Sequence, residues 1–157
     1  MSPLRSCGRF GLRRLHSHEV ALGRNAKVDL IRSVPLFAHC SKAEIAEVAK
    51  IADEIDVRAD KELMREGDRG REFFVLLDGT ATVRRGGRKV NTLGPGDFFG
   101  EIALVSRSPR TATVTTTSPA RLLVITDGRF RTLLEHSPRI QLRILEALAD
   151  RLAPSSV

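Results

Sequence analysis

Apolar positions change their spacing twice along this 157-residue chain. In VDLIRSVPLF they fall at Val28, Leu30, Ile31, Val34 and Leu36, with Pro35 able to break any helix begun before it. That pattern predicts a short helix and a tight turn. Ser41 then opens SKAEIAEVAKIADEI, where Glu44 stands three residues on, the spacing of a capping box. Ile45, Val48 and Ile51, flanked by Ala46 and Ala49, form one apolar stripe on the helix that follows. Between Ile55 and Ile125 the period shortens to strand-like alternation, punctuated by the turn segments EGDRGRE, LDGT, RRGGRK, LGPGD and TSPA.

Within that stretch, Phe73 to Leu77 reads as one strand, Thr80 to Arg85 as a second and Lys89 to Leu93 as a third. Gly86 and Gly87 form a two-residue hairpin loop between the last two. Residues 98 to 110 interrupt the alternation, which resumes over Ala112 to Thr116 and Leu122 to Ile125. Helical spacing returns with Phe130, Leu133 and Leu134 on one face; Pro138 starts a further helix whose stripe runs Ile140, Ile144, Leu145, Leu148, Leu152 to Pro154. The expected fold is mainly β with flanking helices. It is an eight-stranded antiparallel jelly-roll-like β-barrel, closed against exposed edges, with an N-terminal helical segment and two C-terminal helices.

Composition narrows the class. With 41% apolar and 29% charged residues the chain is expected to fold. No apolar run approaches the roughly 18 residues that span a bilayer, and no secretory signal is visible, so a cytoplasmic location is expected. The net charge of +7 is uneven, because Arg5, Arg9, Arg13, Arg14, Arg24 and Lys27 meet Glu19 alone. Residues 1–26 therefore read as a disordered basic N-terminal extension and 27–154 as the single domain. The near-neutral remainder, without Trp or Tyr, argues against nucleic-acid binding by the folded part. Cys7 and Cys40 cannot form a metal set, and Cys40 reads as buried filler. No His lies between Asp53 and Thr126, which removes the ligands a cupin-like metal enzyme would need. No cofactor and no catalysis are expected.

The interruption, GDFFGEIALVSRSPRTATV, carries the candidate chemistry. Glu101 to Val105 is long enough for one helical turn whose first amides point outward, an arrangement that attracts anions. Arg110, at the start of the next strand, offers a planar donor fork to a phosphate, and the Glu101 carboxylate can accept from a sugar hydroxyl. Taken alone, such a pair more often forms a surface ion pair worth under about 1 kcal/mol. Arg107 reads as a solvated loop residue.

FGEIAL followed by SPRTATV resembles the phosphate-binding cassette of the cyclic-nucleotide-binding domain family, which includes kinase regulatory subunits, gated channels and catabolite-activator-like regulators. The resemblance runs from about Val28 to Pro154 and takes in the turn GDRGREFF and Gly79. It implies that Glu101 holds the ribose 2′-hydroxyl and that Arg110 pairs the exocyclic phosphate oxygen. Gly100, Ile102, Ala103 and Thr111 fall within the same cassette, with backbone amides of Gly100, Ala103 and Thr111 completing the nest. Thr111 is compatible with the guanine amino group yet occurs in binders of cAMP and of cGMP. Val83 would face the base or sugar from the barrel wall.

The function implied is a cAMP- or cGMP-binding sensor that moves its C-terminal helices through Leu104 packing on Phe130 and Leu133. An effector protein or a homodimer through the last helix would read the change. The alternatives are a catabolite-activator-like relative without its own DNA-binding domain, or a barrel that has lost its ligand and serves as an interaction module. Since only a few residues follow the last helix before Val157, a helix for reading DNA is not expected, and the chain resembles a stand-alone, bacterial-type member.

Overall fold

The computed structural model describes residues 26–152, with the backbone alone described at 102, 103, 105, 151 and 152. The basic extension read over residues 1–26 lies outside these apart from Ala26, which is helical; Cys7 and Pro154 lie outside them too.

Residues 26–32 form helix α1, and Pro35 then opens a 3-10 turn over Pro35–Phe37, its missing N–H costing nothing at a helix start. Helix α2 covers Lys42–Ile51. The Ser41 hydroxyl accepts from Glu44 N at 3.1 Å and Glu44 Oε1 accepts from Ser41 N at 2.8 Å, which closes the capping box. Ile45 and Val48 are buried beneath it.

The strands are β1 Asp53–Val57, β2 Glu62–Met64, β3 Glu72–Asp78, β4 Ala81–Arg85, β5 Arg88–Leu93, β6 Phe98–Phe99, β7 Thr113–Thr116 and β8 Ala120–Thr126. They pair antiparallel in two four-stranded sheets, ordered β1-β8-β3-β6 and β2-β7-β4-β5. Helix α3, Glu101–Ser106, lies between β6 and β7, and α4, Asp127–His136, and α5, Pro138–Leu152, close the described chain. Two sheets with flanking helices are the jelly-roll-like architecture expected from the alternation. Inside the expected interruption, Phe98 and Phe99 add a two-residue strand on β3, with Phe74 opposite Phe99 and the rings stacked at 4.9 Å.

The unbroken apolar run in β3 follows from burial on both faces. Successive strand residues point to opposite sides. Phe73 and Val75 join the helices, with Phe73 stacked on Phe130 at 4.5 Å, while Phe74 and Leu76 join the interior between the sheets. Leu123 and Ile125 of β8 go with the first group and Leu122 with the second. At the β3–β4 turn, Gly79 has φ +96, and a Cβ there would meet Pro119 O at 2.5 Å, so only glycine fits. Gly86 and Gly87, with φ 60 and 80, make the hairpin that pairs Arg85 with Arg88.

Two expectations need correction. Leu145 was expected on the buried stripe of α5 but is 58% exposed, beside Leu142 at 56%. The buried line is Ile140, Ile144 and partly Leu148, spaced four apart, and Leu145 sits about 100° round the helix from Ile144. Cys40 is half-buried rather than buried; its burial raises the thiol's pKa, and Glu44 raises it further against the pull of Arg139 and Arg143. Among the described residues no helix is long and apolar enough to cross a membrane.

Candidate functional site

Only Glu101 and Arg110 bury charged side chains completely among the described residues, at 0% and 3% exposure. Burying one charge costs several kcal/mol unless partners replace water, so each position is held by something specific. Both line a cavity of about 550 Å³.

The local chain geometry brings them there. Gly100, between β6 and α3, has φ +93, a left-handed conformation that lets the backbone swing from strand into helix. A Cβ on it would stand 2.9 Å from Arg110 Nη1 and 2.9 Å from Glu72 O. The bare backbone at Gly100 is thus what admits the guanidinium. Arg110 Nη1 donates to Gly100 O at 2.9 Å, and Nη2 donates to Glu72 O at 2.8 Å while lying 3.6 Å from Glu72 Oε1. The guanidinium carbon is 5.9 Å from the centre of the Phe74 ring, within cation–π range. Nε of Arg110 is buried without a hydrogen-bond partner among the described residues.

The backbone is fastened on both sides of that side chain. Arg110 N donates to Asp68 O at 2.8 Å, and Gly67 N donates to Arg110 O at 2.9 Å. Burial pulls the guanidinium's pKa down, opposed by Glu72, Glu101 and Asp68, and an arginine so placed stays charged. Burial likewise pushes the Glu72 carboxyl up, against Arg110 and Arg71 and with Asp127.

Of the residues expected from the sequence, Val83, Gly100, Glu101, Arg110 and Thr111 all line the one cavity. Ile102 and Ala103 lie in α3, in the first helical turn after Gly100. The surface ion pair that Glu101 and Arg110 would form in isolation is replaced by a buried arginine tied to Glu72 and to Gly100. Arg107 is exposed, as read.

The sequence reading missed Glu72, although it lies within the GDRGREFF turn. It also missed Met64 from β2, Arg85 from β4, and Val90, Asn91 and Leu93 from β5, which line the cavity together with Phe99, Ala112 and Val114. Arg85 Nε donates to Thr111 O at 3.1 Å, fastening the hairpin to the cassette. Asn91 Oδ1 accepts from Thr92 N at 2.8 Å. The cavity therefore has an apolar side, a buried cation and a buried carboxyl, within the roughly 300–1,000 Å³ typical of small-ligand sites. No group of three or more His, Cys, Asp or Glu among the described residues could hold a metal ion.

Residues 54–137 match the family model described as Cyclic nucleotide-binding domain. The chain is 35% identical over 136 residues to a cAMP-dependent protein kinase regulatory subunit of Mycosarcoma maydis, covering 77% of this chain and 25% of that protein. It is 34% identical over 122 residues to a cyclic nucleotide-gated potassium channel of Rhizobium etli, covering 78% and 34%. The chain thus spans a quarter to a third of these relatives. A solved structure titled cAMP bound PfPKA-R superposes with a TM-score of 0.74 at 26% identity, over 85% of this chain and 46% of that one.

Proposed function

The chain belongs to the cyclic nucleotide-binding domain family, and from that membership we propose that its 550 Å³ cavity takes a cyclic nucleotide, cAMP or cGMP, as a regulatory signal. The observation that carries this reading is Arg110: a buried cation on a cavity wall, its two Nη atoms fixed by protein carbonyls and its Nε–H without a partner among the described residues. A buried donor left unmade costs about 1–3 kcal/mol, which an anionic oxygen would recover. Arg110 takes an exocyclic phosphate oxygen, and Glu101 accepts from the ribose 2′-hydroxyl. The amides of Gly100, Ala103 and Thr111 complete the phosphate contacts, with Ile102 carried in the same turn. Val83 packs on the sugar or base.

The chemistry is binding, with no catalytic step. Leu104 shares a buried cluster with Phe130 and Leu133, and Arg131 Nη2 donates to Leu104 O at 2.7 Å, so α3 and α4 move as neighbours. A ligand that favours one placement of α3 shifts α4 and α5 by as much as its affinities for the two placements differ. The output surface is α5, whose exposed Leu142 and Leu145 offer an apolar face to an effector protein or to a second copy. A cytoplasmic domain spanning residues 27–154, preceded by a basic extension, fits this role.

Calorimetric titration with cAMP and with cGMP tests the proposal. Binding of at least one of them, weakened roughly a hundredfold by Arg110→Ala, is the expected result, since a charge-assisted contact is worth about 1.5–3 kcal/mol. Absence of binding below about millimolar, or equal affinity in the variant, contradicts it.

A further inference from the structure

A second cavity, of about 580 Å³, shares no lining residue with the first among the described residues. Among the described residues its walls carry four guanidinium groups, Arg69, Arg71, Arg107 and Arg131, against a single carboxylate, Asp127. None of the four makes an ion pair among the described residues. Arg69, Arg71 and Arg107 are exposed, and Arg131, half-buried, spends Nη2 on the Leu104 carbonyl. Arg107 holds φ 60 as the C-terminal cap of α3, a left-handed position common at helix ends, and this turns the chain toward Pro109.

Gathering like charges around a concavity builds a positive potential that self-repulsion opposes, and Arg131 alone of the four returns a side-chain hydrogen bond to the protein among the described residues. The arrangement gains in the presence of an anion. The arginines come from three segments fastened to one another, Arg69 forming a β-bridge with Pro109 and Asp127 N, at the start of α4, donating to Arg71 O at 2.9 Å, so their spacing is set by backbone rather than by loose side chains alone. Among the described residues no aromatic ring lines the cavity, which leaves no platform for a base; planar donor forks select phosphate.

We propose that this second cavity is an anion site for a small phosphate-bearing ligand, recognised through its phosphate groups and separate from the nucleotide cavity. Inorganic pyrophosphate is the probe. Calorimetry on the full chain is expected to show binding that Arg69→Gln combined with Arg107→Gln weakens roughly tenfold or more. Both positions are exposed, so the melting temperature is expected to stay within a few degrees of the parent. In amide NMR spectra the shifts should gather at Gly67–Arg71 and Arg107–Ser108.

Shifts gathered instead at Val83–Leu93 and Gly100–Glu101 would place pyrophosphate in the first cavity and overturn the proposal. So would an unchanged affinity in the double variant, the absence of any binding, or binding of a polyglutamate peptide without binding of pyrophosphate. Titration with cAMP and cGMP is read separately, so the two proposals stand or fall independently.

Discussion

Arg110 and Glu72, thirty-eight positions apart, are joined twice: Nη2 donates to the Glu72 carbonyl at 2.8 Å and lies 3.6 Å from its carboxylate. The carbonyl contact survives any side-chain change at 72, whereas the carboxylate contact does not. Glu72→Gln is therefore expected to keep Arg110 buried but to hold it less firmly. Nucleotide affinity should fall about fivefold, the loss of one partly exposed ionic contact. An unchanged affinity would show that the carbonyls alone position the guanidinium.

Glu72 also sets a pH dependence. Burial raises its carboxyl above the ordinary 4.5 despite the cations beside it. An acid raised in the folded state binds its proton at higher pH there than in the unfolded chain. Its contribution to stability is complete below about 4.5 and is lost as pH rises through the folded value. In urea unfolding, the stability of the parent relative to Glu72→Gln should therefore decline as pH rises above about 4.5. A difference that grows over that range contradicts the assignment of burial as the dominant cause.

Gly100 and Gly128 form a contrasting pair. At Gly100 a methyl group meets Arg110 Nη1 and Glu72 O at 2.9 Å in a left-handed backbone, so Gly100→Ala should cost roughly 1–3 kcal/mol and most of the nucleotide affinity. At Gly128, in α4 and exposed, a Cβ meets nothing within 4 Å, and Gly128→Ala should stabilise by about 0.5–1 kcal/mol. Thermal melts and titrations of the two variants decide it. Equal behaviour would remove the steric role given to Gly100.

The two helical ends of the chain are latched by a buried hydroxyl. Ser137, 2% exposed, donates through Oγ to Glu44 Oε2 at 2.7 Å, on the same carboxylate that closes the α2 capping box. Ser137→Ala is expected to lower stability by about 1.5–3 kcal/mol, the range for a hydrogen bond to a charged group, in chemical denaturation at neutral pH. A change under about 0.5 kcal/mol would mean that the latch carries no load.

The strands and the cassette could be read in the sequence because their signals are local. The run Phe73 to Leu77 is apolar throughout, and the paired glycines at 86 and 87 mark a hairpin by themselves. Gly100, Glu101 and Arg110 lie within eleven residues, so a single motif carries them. Glu72 and the β2, β4 and β5 walls arrive through strand register, which includes a shift between Val83 and Arg84 that no local pattern encodes. Leu145 shows the same limit on a helix: periodicity finds an apolar side but not how wide a band its neighbours cover.

The most direct measurement of the central claim is a paired titration with cAMP and 2′-deoxy-cAMP, on the parent and on Glu101→Gln. If the Glu101 carboxylate accepts the ribose 2′-hydroxyl, the parent should lose roughly tenfold to a hundredfold in affinity on removal of that hydroxyl. The variant should lose much less, giving a clear coupling between residue and hydroxyl. Equal losses in both proteins would contradict the placement of the ribose at Glu101.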